Sequence, residues 1–365
     1  TYAVTATAGG GITDSGVLRI TGASTFTAAG GQSILLTEDS TFAAVTFVTS
    51  GGGNLASVTI NDSNAFEIQA LTLTGDLTVT AGDDITDDGT VTVGGDLAAT
   101  TDASDGVITL NELAVTGSIA LNTHGTGAAT VVNATAIEFA ASTVGGALSA
   151  TATAGHITDE VGGVLRITGA STFTVAAGQS ILLTESSTFA AVEFAASAGV
   201  LLDVAINDSN AFELPTLTVT NDLTVTAGGD ITDSGGTVTV GRNFAATTDA
   251  GSGAINLPHL AVDGTIALTT DGTGNATVVN DAAIKFAASD VGGALSATAT
   301  AGHITQSGRL DITGVTTIAA DSGNNITLTN TSNNFQDEVR ITSGNNVSLV
   351  DANAIDLGAS TVSGT

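Results

Sequence analysis

The chain of 365 residues lacks cysteine, methionine and tryptophan, and it has two prolines and six basic residues. Without cysteine, neither a disulfide framework nor a cysteine metal site can form. Six basic against 36 acidic residues give a formal net charge of −30. Such a charge repels phosphates and anionic lipids, so we expect no nucleic-acid binding and no direct membrane insertion. Apolar stripes at helical spacing and long apolar runs are also missing, which argues against helices and membrane spans.

Glycine, threonine and small aliphatic residues fill most of the chain, with 46 glycines. Long runs alternate an apolar residue with Thr or Ser, which is typical of strands with one buried face. Thr, Gly, Asn and Asp are also poor residues for a helix interior. The composition therefore predicts an all-β protein.

Self-comparison shows a long internal repeat. The string ALSATATAGHIT occurs at 147–158 and again at 294–305, a shift of 294 − 147 = 147 residues. ITGASTFT (20–27 and 167–174) and INDSNAFE (60–67 and 206–213) recur at nearly the same shift. We therefore divide the chain into long repeat 1 (1–146), long repeat 2 (147–293) and a truncated repeat 3 (294–365).

A shorter motif recurs within each long repeat as an alternating run that closes on glycine or a substitute for it. In the second repeat these closing positions are Gly169, Asn221, Gly241, Gly264 and Gly292, followed by Gly314 in the third. They predict six coils in each long repeat and three in the truncated one, so a parallel β-solenoid of about 15 coils of roughly 24 residues. We expect the closing residues to adopt positive φ, which Gly allows and Asn tolerates.

The inward face should be filled by equivalent residues of successive repeats. Predicted core residues are Ile20, Phe26, Ile34 and Leu36 in the first repeat and Ile167, Phe173, Ile181 and Leu183 in the second, together with nearly all of the twelve Phe. Asn and Asp recur where one strand ends and the next begins, at Asn61, Asn64, Asn133, Asn207, Asn210, Asn280, Asp351 and Asn353. We expect these side chains to bond turn backbone and to form a ladder between coils.

Acidic turns are the candidates for chemistry. Asp83, Asp84, Asp87 and Asp88 recur as Asp230 and Asp233 one repeat later. A catalytic site is normally unique, whereas these are periodic and lack nearby aromatic or basic partners, so we interpret them as Asx-turns. We therefore predict that the chain is not an enzyme and assign no catalytic or cofactor-binding residue.

The four histidines, His124, His156, His259 and His303, are separated by long stretches of chain, and zinc needs three or four converging ligands. We predict no metal site and no cofactor, with loose Ca²⁺ association with the acidic surface left open. Thr-x-Thr segments such as 72–74, 218–220 and 237–239 are typical of ice-binding solenoids. Coils of unequal length argue against the flat Thr array that ice binding requires.

The strings TVTAGGDIT (224–232), GNNITLTN (323–330), VSLVDANAIDLGAS (347–360) and ASTVSG (359–364) resemble repeats of filamentous-haemagglutinin-type exoproteins and giant β-strand-repeat bacterial adhesins. The resemblance covers essentially the whole chain. It implies a right-handed β-helix that is secreted across the outer membrane, often with a partner transporter.

We accordingly expect a structural or adhesive segment of a secreted fibre at the cell surface, internal to a longer array. Expected partners are flanking repeats or further copies end to end, and cell-surface or matrix glycans. A carbohydrate-active or glycan-binding β-helix is the alternative, because parallel β-helices include polysaccharide lyases and hydrolases.

Overall fold

The computed structural model describes residues 2–233 and 235–364. These residues form strands and turns without any helix, and the paired strands run parallel. No described segment is therefore a helix able to cross a membrane. The chain divides into two compact units, unit 1 (1–198) and unit 2 (199–365).

The strands of unit 1 follow one another at short intervals. They are β1 (Val4–Thr7), β2 (Ile12–Thr13), β3 (Arg19–Ala29), β4 (Ile34–Ser50), β5 (Val58–Asp62), β6 (Phe66–Leu73), β7 (Leu77–Ala81), β8 (Ile85–Val93), β9 (Leu97–Thr101), β10 (Ile108–Val115), β11 (Ser118–Asn122), β12 (Ala129–Asn133), β13 (Ile137–Phe139), β14 (Ser142–Val144), β15 (Leu148–Ala152), β16 (Ile157–Asp159), β17 (Leu165–Ile167), β18 (Ala170–Val175), β19 (Ile181–Ser187) and β20 (Ala191–Ala196).

Unit 2 continues in the same manner. Its strands are β21 (Val204–Asp208), β22 (Phe212–Glu213), β23 (Leu217–Val219), β24 (Leu223–Ala227), β25 (Ile231–Thr232), β26 (Val238–Val240), β27 (Phe244–Thr248), β28 (Ile255–Val262), β29 (Ile266–Thr270), β30 (Ala276–Asn280), β31 (Ile284–Phe286), β32 (Ser289–Val291), β33 (Leu295–Ala299), β34 (Ile304–Gln306), β35 (Leu310–Ile312), β36 (Thr316–Ala320), β37 (Ile326–Leu328), β38 (Asn334–Phe335), β39 (Val339–Ser343) and β40 (Val347–Leu349).

Each strand pairs with its equivalent one turn away. In unit 1 a seven-stranded sheet has the order β20-β18-β15-β12-β10-β8-β6, and strands such as β5, β7, β9 and β11 form the second sheet. In unit 2 a nine-stranded sheet contains β28, β30, β33, β36 and β39, and β24, β27 and β29 belong to the second sheet. The parallel β-solenoid predicted from the alternating pattern is confirmed.

The turns are shorter and more numerous than predicted. The chain winds about 16 turns of roughly 21 residues. Register partners step from Ile12 to Ile34, Val58, Leu77, Leu97, Ile119, Phe139 and Asp159. These seven steps cover 159 − 12 = 147 residues, so one long repeat corresponds to seven turns where six were expected.

The closing glycines gave too few turns because they mark different sheets. Gly264 follows β28 of the nine-stranded sheet, whereas Gly292 follows β32, which belongs to the other sheet of unit 2. The interval between them therefore exceeds one turn. The repeat boundaries at 146/147 and 293/294, and the right-handed sense of winding, stay predictions.

The closing glycines are required by close packing and not by positive φ. None of Gly169, Gly241, Gly264, Gly292 and Gly314 is among the positive-φ residues, nor is Asn221, so that expectation was wrong. A Cβ on Gly264 would lie 1.9 Å from the carbonyl oxygen of Arg242, and one on Gly241 would lie 2.3 Å from that of Thr220. Adjacent turns are too close at these corners for any side chain.

The core follows the predicted alternation. All eight aliphatic and aromatic positions predicted to point inward are buried, as are all Phe except the half-buried Phe47. Phe173 is fully buried and contacts three other rings, with centroid distances of 6.2 Å to Phe139, 6.0 Å to Phe189 and 6.4 Å to Phe194. This cluster is the largest aromatic contact group among the described residues of unit 1.

Candidate functional site: a recurring clamp between turns

An Ile-Thr-Asp segment recurs along the solenoid. It ends at Asp14, Asp87, Asp159 and Asp233, and a fifth copy ends at Gln306. The spacings are 87 − 14 = 73, 159 − 87 = 72, 233 − 159 = 74 and 306 − 233 = 73 residues. At roughly 21 residues per turn this is about three and a half turns. Consecutive copies therefore lie in alternate sheets, as β8 and β16 of unit 1 do.

The carboxylates of Asp14, Asp87 and Asp159 each hold the next turn through two backbone groups. Asp87 accepts the Asn111 N–H at 3.0 Å with Oδ1 and the Glu112 N–H at 2.8 Å with Oδ2. Asp14 accepts from Thr37 and Glu38 at 2.9 and 3.3 Å, and Asp159 from Thr184 and Glu185 at 3.0 and 2.9 Å.

The clamped N–H groups lie where the strand ladder is interrupted. In β10 the register shifts between Thr109 and Leu113, so the N–H groups of Asn111 and Glu112 are outside the regular pairing. Bulged backbone needs other acceptors, and an ionised carboxylate is a strong one. The Asp therefore fixes a bend that backbone pairing alone would leave open.

The residue before each of these isoleucines adds a further bond in four of the five copies. Asp84 accepts the Val107 N–H at 2.8 Å, and Asp230 accepts the Ala254 N–H at 2.7 Å. His156 and His303 occupy the same position, and each accepts a backbone N–H with Nδ1 at 2.9 Å. A ring nitrogen that accepts must be unprotonated, so the proton of a neutral imidazole is on Nε2.

These contacts revise the interpretation of the acidic turns. Asp84, Asp87, Asp230 and Asp233 bond backbone of the following turn instead of forming local Asx-turns. Asp83 and Asp88 are exposed beside them. The 72 to 74 residue spacing was visible in the sequence, but the donors, about 24 residues downstream, carry no signal because they are backbone groups.

The recurring Asn and Asp residues between strands occupy a second type of corner. Asn133 is fully buried, accepts the Val115 N–H at 2.8 Å and donates to the Val115 and Ala136 carbonyl oxygens at 3.0 and 2.7 Å. Asn280 does the same with Val262 and Ala283. The predicted backbone bonding is confirmed for Asn133 and Asn280, whereas Asn61 Oδ1 is buried without a hydrogen-bond partner among the described residues. One amide contact between turns, of the kind predicted, is present at these positions: Asn353 Nδ2 donates to Asn334 Oδ1 at 2.9 Å.

Asp62 occupies the position that corresponds to Asn133, one Ile-Thr-Asp copy earlier in the chain. It is almost completely buried, with 1 % exposure. Its Oδ1 accepts the Phe42 and Asn64 N–H groups at 3.3 and 3.1 Å. Burial raises the pKa of the Asp62 carboxyl, and the charge of Asp39 adds to the effect, whereas the two N–H bonds oppose it. A carboxylate has no donor for the carbonyl groups that Asn133 satisfies.

We expect Asp62→Asn to stabilise the protein by about 1–2 kcal/mol near neutral pH, since the amide can donate where the carboxylate cannot. Because the folded-state pKa is raised, the folded protein keeps a proton that the unfolded chain has lost. The protein is therefore more stable at a pH below the folded-state pKa of Asp62. This additional stability is lost as the pH rises through that pKa. Urea unfolding of both proteins across this range should show a weaker pH dependence in the variant.

The reciprocal change Asn133→Asp is the control. It should lower the free energy of unfolding at neutral pH, and part of this loss should be regained at acidic pH, where the new carboxylate is protonated. An Asp62→Asn variant that is less stable than the parent at neutral pH would contradict this account of the corner.

A surface groove of about 320 Å³ lies beside this corner, lined by residues that include Asp62, Glu67, Gln69 and Asp84. The carboxylates of Asp62 and Asp84 are already bonded to backbone N–H groups. Within residues 2–233 and 235–364, no three His, Asp or Glu side chains converge in a way that could hold a metal ion.

The comparisons with known proteins agree with this periodicity. The family model described as Repeats of unknown function (DUF5649) matches residues 1–49, 55–122, 126–194, 202–271 and 273–342. Each matched segment contains one copy of the clamp, so the family repeat is half of the 147-residue repeat. No curated protein and no solved structure matches the chain. With most of its length in five consecutive matches, the chain belongs to the family of DUF5649 repeats.

Proposed function

We propose that this chain is a rigid structural and adhesive segment of a secreted cell-surface fibre, of the kind that filamentous-haemagglutinin-like exoproteins form. The observation that carries the proposal is the use of the corner carboxylates. The side chains that could perform chemistry are instead hydrogen-bonded to backbone of the neighbouring turn, in four of the five family repeats. A protein whose polar residues hold turns together is suited to bearing load along its winding direction.

Immunolabelling of cells that express the full-length protein tests location and role together. Antibodies against these repeats should decorate extended filaments on intact cells, and deletion of the repeats should shorten the filaments. Labelling only after the cells are broken open would contradict the proposal.

Each unit carries an open apolar surface that supports end-to-end association. In unit 1 an open cavity of about 580 Å³ is lined by Val4, Ile12, Leu18, Ile20 and Phe26 among others. In unit 2 an open cavity of about 330 Å³ is lined by Ile341, Val347, Leu349, Ile355, Leu357 and Val362. Open solenoid faces favour pairing with further turns, so we propose that flanking repeats or further copies cover them.

We expect Leu357→Asp to weaken self-association of the purified chain, because Leu357 is 61 % exposed and lines the cavity of unit 2. Sedimentation velocity over a range of concentrations measures the effect, with a shift of about tenfold in the dissociation constant if a buried leucine is lost from the contact. Val161→Asp is the matched control, since Val161 is 98 % exposed in a turn between β16 and β17. Parent chains that stay monomeric at every concentration would contradict the proposed contact.

A glycan-binding or carbohydrate-active β-helix is the second candidate, and the groove beside Asp62, Glu67 and Asp84 favours it. A glycan array tests binding, and assays for new reducing or unsaturated polysaccharide ends test turnover. Asp84→Asn is the informative variant, because an amide oxygen can still accept the Val107 N–H. Turnover by the parent that this variant lacks would replace the structural proposal with an enzymatic one.

A further inference from the structure

The fourth clamp, at Asp233, differs from the others because the turn it holds lacks one donor. Residues 258 and 259 correspond to Asn111 and Glu112 one long repeat earlier. Pro258 has no backbone N–H. Only the His259 N–H remains, and it donates to Asp233 Oδ2 at 3.1 Å.

The other carboxylate oxygen is left without a hydrogen bond. Asp233 Oδ1 is buried and has no hydrogen-bond partner among the described residues, and the side chain of Asp233 has no exposed surface. An ionised oxygen in such a position is costly. The first three clamps avoid this cost through their two N–H donors.

The imidazole of His259 takes the place of the missing donor. Its Nδ1 lies 3.1 Å from the carbonyl oxygen of Asp233 and 3.4 Å from Asp233 Oδ1. Both oxygens are acceptors, so Nδ1 must carry a proton. About half of the His259 side chain is exposed, at 51 %, which leaves the ring in contact with water and able to exchange protons.

The charges around this pair are acidic. Burial raises the pKa of Asp233 and the charge of Glu213 adds a smaller effect, whereas the contacts with His259 lower it. A positive charge on His259 would lie beside the Asp233 carboxylate, since Nδ1 is 3.4 Å from Oδ1.

We propose that the contact between Asp233 and His259 is a pH-sensitive joint between two successive turns of unit 2. The protonated imidazole holds these turns together more strongly than the neutral one. Imidazole ordinarily changes charge between about pH 5 and 8. In the neutral form the Nδ1 N–H donates to the carbonyl oxygen and leaves the buried carboxylate oxygen, 3.4 Å away, without a hydrogen bond. In the cationic form the ring places positive charge beside that oxygen, which strengthens the contact.

Amide hydrogen exchange of the whole chain tests the joint, with rates corrected for intrinsic exchange. Residues 257–262 should gain about twofold to fivefold protection between about pH 7.5 and pH 5.5, the range for a partly exposed ion pair. Residues 110–115, held by Asp87 through two backbone N–H groups, are the internal control and should keep constant protection. If protection changed equally in the two segments of the parent protein between these pH values, the proposal would be overturned.

Two variants identify the group responsible. His259→Gln keeps a side-chain donor but cannot become charged, so the gain on acidification should disappear. Pro258→Asn restores the second backbone donor, so protection should rise at both pH values and depend less on pH. If the His259→Gln variant retains the gain, Asp233 itself is the titrating group and the proposal fails.

Discussion

Replacing Phe173 with alanine is expected to lower the free energy of unfolding by about 3–5 kcal/mol, the cost of removing a large buried ring. Phe173 has no exposed surface and contacts three other aromatic rings. Urea unfolding followed by circular dichroism measures the change. In a solenoid each turn contacts only its neighbours, so proteolysis should also cut first near this cluster in the variant.

Phe47→Ala is the matched control, because Phe47 is only half-buried and has one ring partner, Phe26, at 6.4 Å. We expect a clearly smaller loss there. A Phe173→Ala variant as stable as the Phe47→Ala variant would mean that the ring cluster does not hold these turns together.

Asp87→Ala is expected to cost about 2–3 kcal/mol, because two N–H bonds to an ionised carboxylate are lost together. The N–H groups of Asn111 and Glu112 then have no protein acceptor at a point where the ladder is already interrupted. Urea unfolding measures the loss, and faster amide exchange of these two residues locates it. Asp87→Asn should lie in between, since an amide oxygen replaces only one of the two acceptors.

Asp88→Ala controls for the loss of a negative charge at the same corner. Asp88 is exposed, and removal of its side chain should change stability by no more than about 0.5 kcal/mol. Equal losses in the Asp87 and Asp88 variants would show that net charge, and not the clamp, governs this corner.

The periodic part of the fold could be predicted because it is repeated in the side chains. Alternation of apolar residues with Thr or Ser gave the strands and the buried positions, including Phe26 and Phe173, and the 147-residue shift gave the repeat. The number of turns per repeat could not be derived in this way. Gly264 and Gly292 look alike in sequence, yet they close strands of different sheets, and only the pairing register separates them.

The candidate site was recognised in the sequence by its residues but not by its role. Asp84, Asp87, Asp230 and Asp233 were identified as periodic acidic positions, and their periodicity argued for structure over catalysis. Their bonding partners were not predictable, because each partner is a backbone N–H about one turn away. The exception at Pro258 was equally hidden, since the loss of a donor matters only opposite a buried carboxylate.

The sequence by itself determined the all-β class, the solenoid and the identity of most core residues, because these depend on local alternation and on repetition. The tertiary structure decided the length of a turn, the reason for the closing glycines and the function of the acidic corners. Each of these depends on which residues of neighbouring turns lie beside one another. That register is set by the packing of whole turns, and no single segment of the sequence contains it.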